Sequence, residues 1–311
     1  MIRVFRTAGR RLQECDTIES GSWIAMTNPT PAELDEISGR FDIDPVDLKG
    51  ALDEEERSRI ESEDHYTLII MDLPDTEVRN GRETFCTIPI GFIYMKEYLI
   101  TVCLTDNPVL TVFMDGRVRN ASTDNLTNLF HKMLYRIASM YLRYLKIINK
   151  TSEAVEEKLQ KYQRNEELLE MLELEKSLVY ISTSLRGNEV VLDRLKRIQA
   201  IPRTEEDMDD LEDIIIENRQ GIEMSKIYTD ILDGTMDAYA NIINNNMNNV
   251  MKLLAVITVV LTIPTIISSA LGMNVPGIPF AGDPMGFWIM TIISIILTVV
   301  AWIFVIFSKK L

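Results

Sequence analysis

Hydrophobic positions are distributed very unevenly along this chain. Residues 253–308 span 56 positions and hold one charge, Asp283. Inside that block, residues 253–271 and 287–307 are apolar runs of about the ~20 residues that cross a ~30 Å hydrocarbon core. Between them lie Gly272, Pro276, Gly277, Pro279, Gly282, Pro284 and Gly286, a density of helix breakers that predicts a loop. Upstream, short β-rich runs occur at 23–26, 66–71, 87–94 and 98–104, and helical patterns at 31–40 and 44–52. Met95-Lys96-Glu97 between two apolar runs predicts a hairpin, and Arg79-Asn80-Gly81-Arg82 a second turn. From Thr123 or Asp124, either of which can cap a helix, the apolar spacing Leu126, Leu129, Met133, Ile137, Met140, Tyr144 is helical. A further helix is expected over 166–199, broken at Ile201-Pro202.

The helix that follows is the most informative. Thr204 precedes Glu206 and Asp207, acids in a first turn as the helix dipole favours. No proline intervenes between Pro202 and Pro264. A continuous helix over 204–270 would reach roughly 100 Å at ~1.5 Å per residue, starting in water and ending across a membrane. Counting by sevens along it gives Asp230, Asp237, Asn244, Met251, Thr258 and Thr265, with Asn241, Asn248, Ala255, Thr262 and Ser269 as companions. These form one face at a coiled-coil period. Two readings of that stripe stand. The hydroxyls can bond back to carbonyls four residues earlier, or the face can turn toward neighbouring copies or water. Two spans cannot enclose a pore, so a water-lined stripe requires several copies around an axis, with closed cyclic symmetry the default.

Charge sharpens the picture. There are 47 acids against 32 bases, a formal charge of −15. An acidic chain without a basic stripe excludes nucleic acid as a partner; the apolar blocks exclude a plain soluble enzyme. Lys252 flanks the first span, Lys309-Lys310 follow the second, and the loop has no base. The positive-inside rule then places both termini in the cytoplasm, in a multi-pass protein of the cell (inner or plasma) membrane. Trp288 and Trp302 suit interfacial anchoring. The segment after Met1-Ile2-Arg3 lacks the apolar stretch of a signal peptide. Cys15, Cys86 and Cys103 match no zinc or redox spacing and are expected as free buried thiols.

The expected organisation is a cytoplasmic α/β domain over 1–122, a helical hairpin-like region over 123–202 and a cytoplasmic stalk helix over 203–252. The first span (253–271), an external loop (272–286), the second span (287–307) and a basic cytoplasmic tail (308–311) follow. The fold class is thus α+β with a long helical stalk and two C-terminal transmembrane helices.

The first span ends in Gly272-Met273-Asn274, directly before the external loop. That tripeptide, placed after a long helix and before a second span with a basic tail, resembles the signature of the CorA family of divalent-cation channels. The resemblance covers the whole chain. It implies a homopentameric funnel in which the first span lines the pore and the second faces lipid. It implies that Gly272, Met273 and Asn274 form the outer selectivity filter, with neutral oxygens orienting the water shell of Mg²⁺, an ion that gives up water reluctantly. Counting back from Asn274, the resemblance places Thr265 on a polar ring, Met251 and Leu254 at an apolar gate, and Asn248 and Asp237 on polar rings below it. Thr262, Thr258 and Asn244 join the pore face by the seven-residue count. Asp213 matches an intersubunit regulatory carboxylate, with Asp209 and Asp210 beside it and Asp53 as its partner, Asp42, Asp44 and Asp47 being rivals. The chain departs from the family pattern at Leu271, where Tyr is usual, at Thr262, and in a loop whose one acid is Asp283.

The implied activity is passive Mg²⁺ influx driven by the membrane potential, with Co²⁺ and Ni²⁺ as further cargo and feedback closure by cytoplasmic Mg²⁺. No resident cofactor is expected. Zn²⁺ transport on the same fold, as in the ZntB branch, is an alternative; His65 and His131 lie far along the chain from the pore segment. A non-conducting membrane scaffold or sensor is another. A hydrolytic enzyme is disfavoured, for the chain shows no Ser-His-Asp or metal-hydrolase motif, and no ATP-binding Gly-rich loop.

Overall fold

The computed structural model describes residues 1–9, 11–79, 81–162, 165–273, 278–279 and 283–307. The chain divides into two compact units, Met1–Met236 and Asp237–Leu311.

The first unit is built on a seven-stranded sheet. Its strands are β1 (Ile2–Ala8), β2 (Arg11–Cys15), β3 (Ser22–Thr27), β4 (Arg59–Ser62), β5 (Thr67–Arg79), β6 (Arg82–Tyr94) and β7 (Tyr98–Cys103), in the order β2-β1-β3-β7-β6-β5-β4. All neighbours are antiparallel except β3 and β7, which run parallel with Ser22 opposite Tyr98. Helices α1 (Pro31–Phe41) and α2 (Pro45–Gly50) follow β3, α3 (Pro108–Met114) follows β7, and α4 (Leu126–Tyr162), α5 (Asn165–Leu195) and α6 (Glu205–Leu271) come next. Helix α1 starts with a capping box between Thr30 and Glu33, and Asp44 caps α2. Both devices satisfy amide donors that a first turn leaves orphaned.

Helices cover both sheet faces, so the central strands are apolar on both sides. Ile24, Met26, Leu68, Ile70, Ile100 and Val102 pack with Leu34, Ile37 and Leu48 of α1 and α2. On the opposite face Trp23 stacks on Phe5 and meets Phe113 of α3 edge-on, while its indole donates to Thr101 Oγ1 at 3.0 Å. Phe92 meets Phe130 of α4 at 5.1 Å. The helix α2 approaches β6 so closely that a Cβ at Gly91 would lie 2.6 Å from Ala51 Cβ.

The expected runs at 23–26, 66–71, 87–94 and 98–104 are β3, β5, β6 and β7, and the hairpin at 95–97 joins the last two. Asn80 of the other expected turn lies outside the described residues; β5 and β6 pair as a hairpin up to Arg79 opposite Arg82. The sheet also contains β1, β2 and β4, which the hydrophobic pattern did not show. One cap is corrected. Neither Thr123 nor Asp124 caps α4: Asn125 Oδ1 accepts from Asn128 N at 3.0 Å, while buried Thr123 exchanges hydrogen bonds with Thr7. Register and tertiary contact, not residue type, decided which polar residue filled that role. The three cysteines are free, but Cys103 is the one that is fully buried, Cys15 and Cys86 being half-buried.

Helix α5 is bonded to the sheet through Ser177, Ser184 and Asn188, which reach Phe85 N, Thr87 Oγ1 and Asp72. Asn188 is fully buried; its Oδ1 accepts from Asp72 N and its Nδ2 donates to Asp72 O, both at 2.9 Å. The amide thus serves β5 as a strand neighbour would. Asn188→Ala would orphan a buried donor and leave Tyr141 as the partner of Asp72 O. The expected loss is about 2–4 kcal/mol, read as a lower urea midpoint of the isolated soluble part or a lower melting temperature of the whole protein.

Candidate functional site

Within the second unit, the remainder of α6 runs from Asp237 to Leu271 and α7 spans Gly286–Phe307. Both helices are long and apolar enough to cross a membrane, and neither apolar stretch is buried inside the chain. Pro264 lies within α6 without ending it.

The helix has two distinct faces. Val256, Val260, Ile263, Pro264, Ile267 and Leu271 are its partly buried positions from 251 onward. Pro264, Ile267 and Leu271 line a cleft with Met290, Thr291 and Ser294 of α7. At about 100° per residue these positions fall within roughly 60° of one line. Asp237, Asn244, Asn248, Met251, Leu254, Thr258, Thr262, Thr265 and Ser269 fall roughly 120–180° away from that line, and all are exposed. The polar stripe therefore lies on the side of α6 opposite to α7.

The hydroxyls of Thr258, Thr262 and Thr265 donate to the carbonyls of Leu254, Thr258 and Leu261 at 2.7–2.8 Å. Back-bonding and an outward role are compatible. A hydroxyl has one proton and two lone pairs. With the proton committed to the backbone, the oxygen presents acceptor capacity outward, the polarity that a cation's water shell requires. Met251 and Leu254 interrupt this stripe with two apolar side chains, 60% and 58% exposed.

At the end of α6, Gly272 N donates to Ser268 O at 3.1 Å and Met273 N to Ala270 O at 3.4 Å. A Cβ at Gly272 would meet Ser268 O at 3.5 Å, an ordinary contact. Among the described residues nothing therefore requires glycine there. Asn274 lies outside the described residues.

The expected regulatory carboxylates Asp209 and Asp213 are exposed on the first turns of α6, and Asp53 is exposed after α2, accepting from Glu55 N. Thr204 and Asp207 close a capping box at the start of this helix: Asp207 Oδ2 accepts from Thr204 N and Oγ1, each at 2.8 Å, and Asp207 N donates to Thr204 Oγ1. Among the described residues, His131, Asp207 and Asp210 alone form a group of three or more potential ligand side chains with atoms within 4.8 Å of one another. Asp53, Asp209 and Asp213 do not belong to it. Burial pushes the Asp210 carboxyl up, reinforced by the charges of Glu206 and Asp207. Burial pushes His131 down to about 4, so its ring is neutral at pH 7. Both ring nitrogens lack a hydrogen-bond partner, at about 1–3 kcal/mol per unmet buried group. The sequence gives His131 no ligand role and shows Asp207 only as one acid of the run that opens α6. The available signal was His131 amid Leu129, Phe130, Met133 and Leu134, with Lys132 as the other polar residue of that turn.

Residues 19–310 match the family described as "CorA-like Mg2+ transporter protein". The chain is 31% identical over 288 residues to the cobalt/magnesium transport protein CorA of Methanocaldococcus jannaschii, covering 91% of this chain and 89% of that one. The complete structure of the CorA magnesium transporter from Methanocaldococcus jannaschii superposes with a TM-score of 0.84 at 26% identity, over 98% of this chain and 96% of the other. The ZntB cytoplasmic domain from Vibrio parahaemolyticus shares the fold, with a TM-score of 0.60 at 12% identity over 79% of this chain and 98% of its own. An α/β domain, a long helix carrying a polar stripe and a second apolar helix thus occur in the family's order along nearly the whole chain, which belongs to the CorA family of Mg²⁺ transporters.

Proposed function

We propose that the chain is one subunit of a homopentameric channel that passes hydrated Mg²⁺ into the cytoplasm, down the membrane potential. As a CorA member it is a two-span membrane protein with a cytoplasmic N-terminal domain and transports divalent cations; it is not an enzyme. The observation that carries the finer reading is the hydroxyl and amide stripe on the face of α6 opposite to α7. Copies arranged with α7 outermost would enclose that stripe and leave α7 against lipid. In this reading residues 253–271 and 287–307 are the spans, 272–286 the external loop, and Gly272, Met273 and Asn274 the filter.

Neutral oxygens along the stripe suit an ion that keeps its water: they orient the shell without holding the ion too tightly to leave. Among the described residues the stripe has no His or Cys, the ligands that favour dehydrated zinc. Co²⁺ and Ni²⁺ of similar charge are further cargo, a reading supported by the cobalt/magnesium transport of the archaeal relative. The potential supplies about 2.3 kcal/mol per charge per 100 mV, and twice that for a divalent ion. The test is Mg²⁺ uptake by liposomes containing the purified protein and an internal Mg²⁺ dye. Uptake that grows with an inside-negative potential is expected; no uptake under any potential would leave a scaffold or sensor instead.

Met251 and Leu254 close the resting pore by excluding water from a narrow apolar ring. Met251→Gly and Leu254→Gly are expected to leak Mg²⁺ even at high internal Mg²⁺, where the parent is shut. Patch-clamp currents as small in both variants as in the parent would remove the gate from these residues.

A further inference from the structure

The triad of His131, Asp207 and Asp210 lies within the first unit of one chain. Its geometry follows from the way α4 meets the start of α6. Thr127, one turn before His131, bonds Tyr94 OH at 2.7 Å and donates to Pro202 O at 3.0 Å. That clamp sets the first turn of α4 beside the chain entering α6, so His131 faces Asp207 and Asp210. The imidazole is 1% exposed and both its nitrogens are without hydrogen-bond partners, in a protein interior where such atoms are nearly always satisfied. Asp207 is 4% exposed, and its Oδ2 is held by Thr204. Such anchoring fixes a ligand carboxylate and leaves its other oxygen for an ion.

We propose that His131, Asp207 and Asp210 form an intrasubunit site for a divalent transition-metal ion such as Co²⁺, Ni²⁺ or Zn²⁺, and not for Mg²⁺. Imidazole with carboxylates suits these borderline ions, whereas Mg²⁺ selects oxygen ligands and keeps its waters. Ligand atoms about 2.1 Å from a shared ion lie roughly 3–3.5 Å apart, so small side-chain rotations from the present spacing close the triad. Two carboxylates neutralise the ion. Of the nearby cations, Lys132 donates its ammonium to Asn120 O while its charge still acts on Asp210, and Arg203 donates Nη2 to Leu195 O. An ion here pins α4 to the first turns of α6.

The experiment uses the full-length protein in detergent, stripped with a chelator and titrated with Co²⁺ in a large excess of Mg²⁺, which fills oxygen-only sites. The expected result is one Mg²⁺-resistant Co²⁺ per chain, with imidazole scattering in its X-ray absorption spectrum. His65 is the one other histidine, so His65→Ala retains the signal and His131→Leu, which fills the apolar surroundings, loses it. Asp210→Asn, at a half-exposed position, weakens binding about tenfold or more without relying on the folding of the His131 variant. Mg²⁺-resistant Co²⁺ retained by folded His131→Leu overturns the proposal. So does a parent protein whose bound Co²⁺ shows no imidazole, or is fully displaced by Mg²⁺. None of these readouts depends on conduction, so failure of the channel reading leaves them intact.

Discussion

Asn274→Ala protein is expected to assemble as the parent does and to carry Mg²⁺ at least about a hundredfold more slowly. Asn274 supplies the one side-chain amide in the Gly272–Asn274 tripeptide. Hydrogen bonds to the ion's water shell contribute about 0.5–1.5 kcal/mol net apiece. Five copies in the proposed pentamer would together supply several kcal/mol of selectivity for a hydrated cation, and each 1.4 kcal/mol is a factor of ten. Dye-loaded liposomes measure the rate, and size-exclusion chromatography in detergent checks the assembly. A variant with parental flux would take the filter away from Asn274. Gly272→Ala gives a sharper contrast. Among the described residues of its own chain a methyl group there meets only ordinary contacts, so loss of flux in a folded variant would point to crowding between copies or against the ion.

The second large effect concerns feedback. Glu205, Glu206, Asp207, Asp209, Asp210, Glu212 and Asp213 crowd the first turns of α6, and Lys196 pairs with Glu212 at 3.4 Å. The repulsion is already felt within one chain, where Glu206, Asp207 and Asp213 all help hold the Asp210 carboxyl above its ordinary range. Copies around an axis would add to it unless a cation bridges them. Abundant cytoplasmic Mg²⁺ is therefore expected to hold the closed arrangement, and its loss to favour opening. Linkage requires Mg²⁺ to bind the closed form more tightly. Asp213 is exposed, so Asp213→Lys is tolerated by the fold and places a fixed cation where the ion would sit. Current from this variant should become insensitive to internal Mg²⁺ between micromolar and ~10 mM, a range bracketing weak carboxylate sites. Inhibition as in the parent would show that Asp213 is not the sensor.

What could be read along the chain was what depends on neighbours in sequence. The strands β3, β5, β6 and β7 announced themselves because helices cover both their faces, leaving unbroken apolar runs. β1, β2 and β4 stayed hidden. β2 is five residues long with Leu12 as its one buried side chain, β4 is four residues long with Arg59 and Glu61 in it, and β2 and β4 form the sheet's edges. Short polar edges carry little periodic signal. The 67-residue helix α6 was legible because nothing between Pro202 and Pro264 stops it, and its ends agree with the expected 204–270 to within a residue.

Sequence alone determined the two apolar spans, the long helix, and the heptad spacing of Asp237, Asn244, Asn248, Thr258, Thr262 and Thr265, since each depends only on local composition and the 3.6-residue turn. Tertiary structure decided two further things. It set the stripe opposite to α7, because the cleft at Pro264, Ile267 and Leu271 exists only once the second helix has docked. It also joined His131 to Asp207 and Asp210, residues from different helices that share no local pattern. Their meeting depends on how α4, held by Thr127 to Pro202 O, lies against the first turn of α6. Periodicity reports which face of an element is buried, while the identity of the side chain it is buried against is a long-range property of the packed chain.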